Sequence, residues 1–167
     1  EIPVNYYVEH PYREYAKEIF GNTPEMLSFF SEKFGVNYPW SKYSQVVVRE
    51  FIAGAMENTT ASIFMEGLQS TDRQLIDSHW DNIIAHELAH HWFGDYVTCE
   101  SWANLTLNEA FATYSEYLWN EYKYGKEEAD YWLMEEGNSY FNEASRKKKN
   151  LIRYHYKNSE ALFDNHT

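Results

Sequence analysis

The stretch Asn82-Ile83-Ile84-Ala85-His86-Glu87-Leu88-Ala89-His90-His91 constrains this chain more than any other. On a helix, four residues at about 100° each bring His90 round to within about 40° of His86 and about 6 Å further along the axis. Two imidazoles on one face can then grip one metal ion. Glu87 lies about 100° round from His86, too far to share its direct bonds but able to reach a water at an open coordination position. That arrangement suits metal-assisted hydrolysis, although a lone His-Glu-x-x-His also fits ordinary surface residues of an amphipathic helix.

A third ligand changes the balance. A catalytic zinc site takes three protein ligands and keeps one position free, so another element must supply a carboxylate or imidazole. Eighteen residues after His90 comes Glu109, within Leu105-Thr106-Leu107-Asn108-Glu109-Ala110-Phe111. Gly94 and Asp95 interrupt the chain between them, and a second helix beginning near Asn104 can fold back to offer Glu109 to the same ion. Zinc suits two borderline-soft imidazoles better than magnesium or calcium, which want oxygen. Coordination lowers the pKa of water to about 7, and Glu87 can take the proton and pass it to a leaving amine.

The other histidines do not fit. His79 shares the face of His86 but sits about 10 Å away along the axis, and His91 points about 100° from His90. Glu116, seven residues after Glu109 and nearly on its face, is either a partner for a ligand imidazole or an exposed helix glutamate. Upstream, Gly54-Ala55-Met56-Glu57-Asn58 follows a β-forming run. Its backbone, free of bulk at Gly54 and Ala55, can pair with an extended peptide, leaving Glu57 to hold a free α-ammonium group. The same stretch also reads as a plain hairpin connection.

Organisation along the chain is α+β. Thr23-Pro24-Glu25 opens a short amphipathic helix, with Thr23 as N-cap, that stops at Gly35. Tyr43 to Ile52 reads as a strand through Val46, Val47 and Val48, and Ala61 to Met65 as a second strand returning beside it. One metal-carrying helix is expected over Asp72 to Phe93, with Leu75, Ile76, Ile83, Ile84 and Leu88 available for burial and Gly94 as its stop. Further helices are expected over Thr106 to Tyr124 and from Lys126 to about Lys148, the latter with Ala129, Trp132, Leu133, Tyr140 and Phe141 at mixed helical spacing. The chain thus divides into a strand-rich part at about 36–70, metal-binding helices at about 72–124 and a third helix at about 126–148, followed by an irregular end.

Composition narrows the partners. A net charge of -12, from 14 basic and 26 acidic residues among 167, argues against nucleic acid, whose phosphates need a basic surface. Arg146-Lys147-Lys148-Lys149 reads as a solvated helix end complementing the dipole. Cys99 is the lone cysteine, so no disulfide forms within the chain, and a partly buried apolar role suits it. No run is long enough to span a bilayer, and the extended start, Glu1-Ile2-Pro3-Val4, reads like the middle of a longer protein. Compartment and oligomeric state are not specified by the sequence.

His86-Glu87-Leu88-Ala89-His90, Glu109 after eighteen residues and Gly54-Ala55-Met56-Glu57-Asn58 upstream together resemble the zinc aminopeptidase family of aminopeptidase N and leukotriene hydrolase. The resemblance extends from about Tyr38 through Tyr117. It implies the N-terminal part of a thermolysin-like catalytic domain, one zinc on His86, His90 and Glu109, Glu87 as base, and the Gly54–Asn58 motif receiving peptides with a free amino terminus, Glu57 holding the amine. It also implies a preceding β domain, further helical parts and an oxyanion-stabilising tyrosine outside this chain, so that the piece alone is expected to be nearly inactive. Lipid epoxide hydrolysis on the same zinc is the group's other activity, and a non-catalytic zinc-binding module is the reading from a different class. Asp95 stands where the family often has Asn, and Ala110 where it often has Gly.

Overall fold

Val46, Val47 and Val48 close the strand β2 (Tyr43–Val48), which has a neighbour on both sides. Branched side chains are stiff at χ1 and pack well on a pleated surface, which suits an interior strand. The computed structural model describes residues 2–77 and 79–165 and places β2 in a four-stranded mixed sheet. With β1 at Val4–Tyr7, β3 at Ala55–Met56 and β4 at Ala61–Met65, the order is β1-β2-β4-β3. Both β1 and β4 run parallel to β2, Val4 lying opposite Tyr43 and Ser44 opposite Ala61.

Ala61–Met65 lies beside β2 as expected, but it runs parallel to β2 instead of returning against it. The strand that returns is β3, which pairs antiparallel with β4 (Ala55 opposite Phe64), and β4 fills the place between β3 and β2. Left-handed backbone at Glu50 (φ 56°), Gly54 (φ 85°) and Thr60 (φ 69°) reverses the chain twice within this short stretch. That conformation is uncommon outside glycine, which is why the valine run gives no hint of it. The strand also ends at Val48 rather than Ile52, whose side chain is fully exposed.

Two helices, α1 (Ala16–Phe20) and α2 (Thr23–Phe34), precede β2. Asn22, not Thr23, is the N-cap of α2, and the Thr23 hydroxyl donates instead to buried Gln45 Oε1 at 2.7 Å. Gly35 ends α2 in the left-handed region, as expected. The core gathers Phe20 from α1, Met26 and Phe30 from α2, Tyr43 and Phe64 from the sheet, and Ile84 and Leu88 from the helix that follows.

The long helix expected over Asp72 to Phe93 is two helices, α3 (Asp72–Asp77) and α4 (Asp81–Ala89). The break has a polar cause. Asp81, buried in the first turn of α4, accepts hydrogen bonds from Asn22 Nδ2 (2.9 Å), Trp119 Nε1 (3.0 Å) and Tyr124 Oη (2.6 Å), and His79 stacks on Tyr124. These bonds fix where α4 begins and leave Ile76 of α3 exposed instead of buried. α4 ends at Ala89 with His90 as its C-cap, and the chain turns through Gly94. Gly94 has φ 144°, and an added Cβ would come within 3.3 Å of the His90 ring, so the position tolerates no larger residue without displacing it.

A short 3-10 turn (Trp102–Asn104) leads into α5 (Thr106–Tyr124) and then α6 (Lys126–Arg146), both where the sequence places them. α5 packs against α4 on one side and α6 on the other. Ala129 alone is buried among α6 side chains, and Leu133, Tyr140 and Phe141 are exposed. In the basic run, Arg146, Lys147 and Lys148 are solvated, but Lys149 pairs with Glu143 (2.8 Å) and Asp164 (2.6 Å). No helix among the described residues is long and apolar enough to cross a membrane.

Candidate metal centre

The apolar side of α4 sends Ile84, Ala85 and Leu88 into the core, which leaves His86 and Glu87 facing α5 and the sheet edge. His90 continues the turn, its amide bonded to the His86 carbonyl at 3.2 Å. From α5, Glu109 projects at the first turn, so the two elements bring His86, His90 and Glu109 together as the spacing predicts. His86 Nε2 and His90 Nε2 are 3.1 Å apart, and Glu109 Oε2 lies 3.4 Å from the first and 3.6 Å from the second.

Those edges test the fit to a metal. With bonds of about 2.0 to 2.1 Å, neighbouring ligands of a tetrahedral zinc stand about 3.4 Å apart, and the three edges here bracket that value. Both outer ring nitrogens are occupied. His90 Nδ1 donates to the Phe93 carbonyl at 3.0 Å, and His86 Nδ1 lies 2.9 Å from Glu116 Oε1. The two Nε2 lone pairs are thereby aimed at each other across 3.1 Å, an arrangement that a shared cation or proton must reconcile. Glu116 is thus a partner of the His86 ring and not an exposed helix glutamate.

The electrostatics show that the carboxylates favour positive charge at this point, whether a proton or a cation supplies it. Burial alone would push the His86 ring down, but hydrogen bonds with Glu109 and Glu116 outweigh it and lift its pKa to about 10. Burial likewise acts to raise Glu109, but His86 and His90 pull it down to about 2. Glu116 is itself raised by burial, so the 2.9 Å contact with His86 is a pair sharing one proton, which we place on the imidazole because two carboxylates face that ring. Glu87 is different. Only 6 % exposed, its Oε2 finds no hydrogen-bond partner, and burial raises its carboxyl to about 7. A group poised there exchanges protons at neutral pH.

The Gly54–Asn58 segment borders the same space. Ala55 and Met56 form β3, whose far side has no strand among the described residues, so its backbone offers an edge for another strand. Just beyond, a Glu57 carboxylate oxygen lies within 4.8 Å of ligand atoms of both Glu87 and His90. Asn58 closes the segment by accepting from the Ala61 amide at 2.7 Å.

Two residues to which sequence reasoning gave no role hold this arrangement. His91, fully buried, donates from Nδ1 to the Glu87 carbonyl (3.1 Å) and accepts the Thr60 amide at Nε2 (3.0 Å), tying α4 to the segment after Asn58. Burial pushes its pKa down to about 4, which keeps Nε2 free to accept. Asp81 fixes the other end of α4, and an acid in a helix's first turn was its only trace in the sequence. Cys99 is half-buried, its amide donating to Asn108 Oδ1.

A histidine pair one turn apart, a glutamate from the next helix and a small mixed sheet match the class of zinc metallopeptidase catalytic domains. The model of the peptidase family M1 domain matches residues 18–167. The chain belongs to peptidase family M1. It is 42 % identical over 120 residues to aminopeptidase N of Streptomyces lividans, covering 69 % of this chain and 14 % of that protein. To the mitochondrial aminopeptidase 2 of Saccharomyces cerevisiae it is 38 % identical over 127 residues, 73 % of this chain and 13 % of that protein. Yeast LTA4 hydrolase in complex with bestatin superimposes with a TM-score of 0.80 at 25 % identity, covering 96 % of this chain and 26 % of the other. The M1 zinc metallopeptidase from Deinococcus radiodurans gives 0.63 at 29 % identity, over 87 % and 29 %. The chain therefore spans about one seventh of the length of the first of these relatives, and membership of the family implies zinc.

Proposed function

We propose that the protein is a zinc-dependent aminopeptidase and that this chain carries the metal-binding part of its catalytic domain. The carrying observation is the triangle of His86 Nε2, His90 Nε2 and Glu109 Oε2, with edges of 3.1 to 3.6 Å, beside the unpartnered Glu87 Oε2. His86, His90 and Glu109 hold one zinc, and Glu116 fixes the His86 ring through Nδ1. Zinc bound there would act as a Lewis acid and would make water a nucleophile available at neutral pH. Glu87, with its own carboxyl near 7, accepts a proton and later delivers it to the leaving amine. Glu57 receives the substrate's α-ammonium group, and the free edge of β3 at Ala55–Met56, flanked by Gly54 and Asn58, takes the peptide backbone. A carboxylate meeting the chain end restricts cleavage to the first peptide bond.

Aminopeptidases among the relatives support this reading over the epoxide alternative. A passive zinc module gives no reason to bury a glutamate unpaired next to the ligands. The test compares an aminoacyl amide with its N-acetylated twin on the intact protein, alongside elemental analysis. Expected are one zinc per chain and cleavage of the free amine only. Equal cleavage of both compounds removes the role given to Glu57, and a folded protein with no affinity for zinc removes the whole proposal.

A further inference from the structure

A cavity of about 540 Å³ opens beside His86. Ala53, Ala55 and His79 line one part of it, and three helices supply the rest. Trp80, Asn82 and Ile83 come from the start of α4, Glu116 from α5, and Trp132 and Glu136 from α6, where their spacing of four puts them on one helical face. It touches His86 and Glu87 but neither His90 nor Glu57, and Glu57 lies within ligand distance of His90 and Glu87 instead. This fixes a direction. A peptide whose α-ammonium sits at Glu57 passes its first carbonyl over the metal centre, and the side chain of its second residue enters the cavity. The assignment rests on the aminopeptidase reading above.

The lining specifies what that side chain should be. It includes three carboxylates, Glu87, Glu116 and Glu136, and no lysine or arginine. Glu87 faces the reacting bond and Glu116 is engaged by the His86 ring, whereas Glu136 is exposed and forms no ion pair among the described residues. Buried Asn82 Oδ1 likewise has no hydrogen-bond partner. Unpaired acceptors in a wall that also carries the rings of Trp80 and Trp132 suit a long side chain with a cationic, donor-rich tip. We propose that this cavity selects lysine or arginine as the second residue of the substrate, with Glu136 as the residue that determines the preference.

The experiment uses the intact protein and peptides that differ only at the second residue, arginine against its neutral near-isostere citrulline, with N-acetylated versions of each. Expected is kcat/KM about tenfold higher for arginine. The ratio should fall severalfold in Glu136→Gln and to one or below in Glu136→Lys, with circular dichroism confirming the fold of these surface variants. Equal rates for arginine and citrulline in the unaltered protein, or a ratio that survives Glu136→Lys, overturn the inference while leaving the aminopeptidase reading in place. Failure to cleave any free-amine peptide, or equal cleavage of the acetylated ones, overturns that reading and the inference with it.

Discussion

Helices α4 and α6 both pack on α5 or its surroundings, yet they are built on opposite terms. α4 is nine residues long, six of them buried, including the carboxylates of Asp81 and Glu87. α6 is 21 residues long and buries only Ala129. An isolated nine-residue helix is marginal in water, so α4 exists because its neighbours hold it. Asp81 anchors its start, Ile84 and Leu88 enter the core, and His91 pins the turn at its end. α6 has length and local propensity enough to form with little support. The helix that carries the chemistry is the one whose geometry is dictated from outside, and that is what keeps two imidazoles and a carboxylate within 3.1 to 3.6 Å.

The sharpest break of this contrast is at Glu87. A buried carboxylate without a partner costs stability, so its presence calls for a functional reason. Glu87→Gln on the intact protein is expected to lower kcat by about 10²- to 10⁴-fold, with zinc content unchanged and the melting temperature equal or higher. A variant that loses stability along with rate would show that Glu87 supports α4 rather than serving the reaction.

Asp81 should behave in the opposite way. Asp81→Ala leaves Asn22 Nδ2, Trp119 Nε1 and Tyr124 Oη without their acceptor, and the orphaned donor of fully buried Trp119 alone costs about 1 to 3 kcal/mol. We expect roughly 3 kcal/mol lost in urea denaturation of the metal-free chain, and weaker zinc binding because α4 and α5 lose their shared anchor. Unchanged zinc affinity would mean that the triangle does not depend on how α4 is seated.

His91 gives a pH-dependent test. Its folded pKa, about 4, lies below the ordinary histidine value, so the fold favours the neutral ring. The stabilisation is complete above about pH 6.5 and is lost as pH falls toward 4, by at most about 1.4 kcal/mol per pH unit. Glu87 and Asp95, raised by burial to about 7 and about 6, work in the reverse sense over the same range. The diagnostic quantity is therefore the difference between the native protein and His91→Gln, both metal-free. It should move against the native protein between pH 6.5 and 4, and a flat difference would mean that the Thr60 amide does not hold His91 neutral.

Much of the site was legible because it is local in sequence. His86, Glu87 and His90 are fixed by helical periodicity, and α5 and α6 follow their capping glycines and apolar spacing. What escaped was set by contacts between distant residues. The break before Asp81 depends on Asn22, Trp119 and Tyr124, none of which is near it in the chain. The parallel placement of β4 depends on left-handed backbone at Glu50 and Thr60, residues that rarely adopt it. The cavity wall from Trp132 and Glu136 had no local signal either, since an aromatic and an acid four apart on α6 look the same whether they face a neighbour or water.

The smallest effect is expected on α6. Phe141 is 68 % exposed and Leu133 49 %, so little apolar area leaves or enters water when either is shortened. Phe141→Ser and Leu133→Ser should each change the stability of this chain by less than about 0.5 kcal/mol. Leu88, fully buried on α4, should instead cost about 2 to 5 kcal/mol as Leu88→Ala. Parallel urea titrations of the three variants measure the contrast directly. A loss above about 2 kcal/mol at Phe141 would mean that α6 is as dependent on its surroundings as α4, and the two helices would no longer differ in kind.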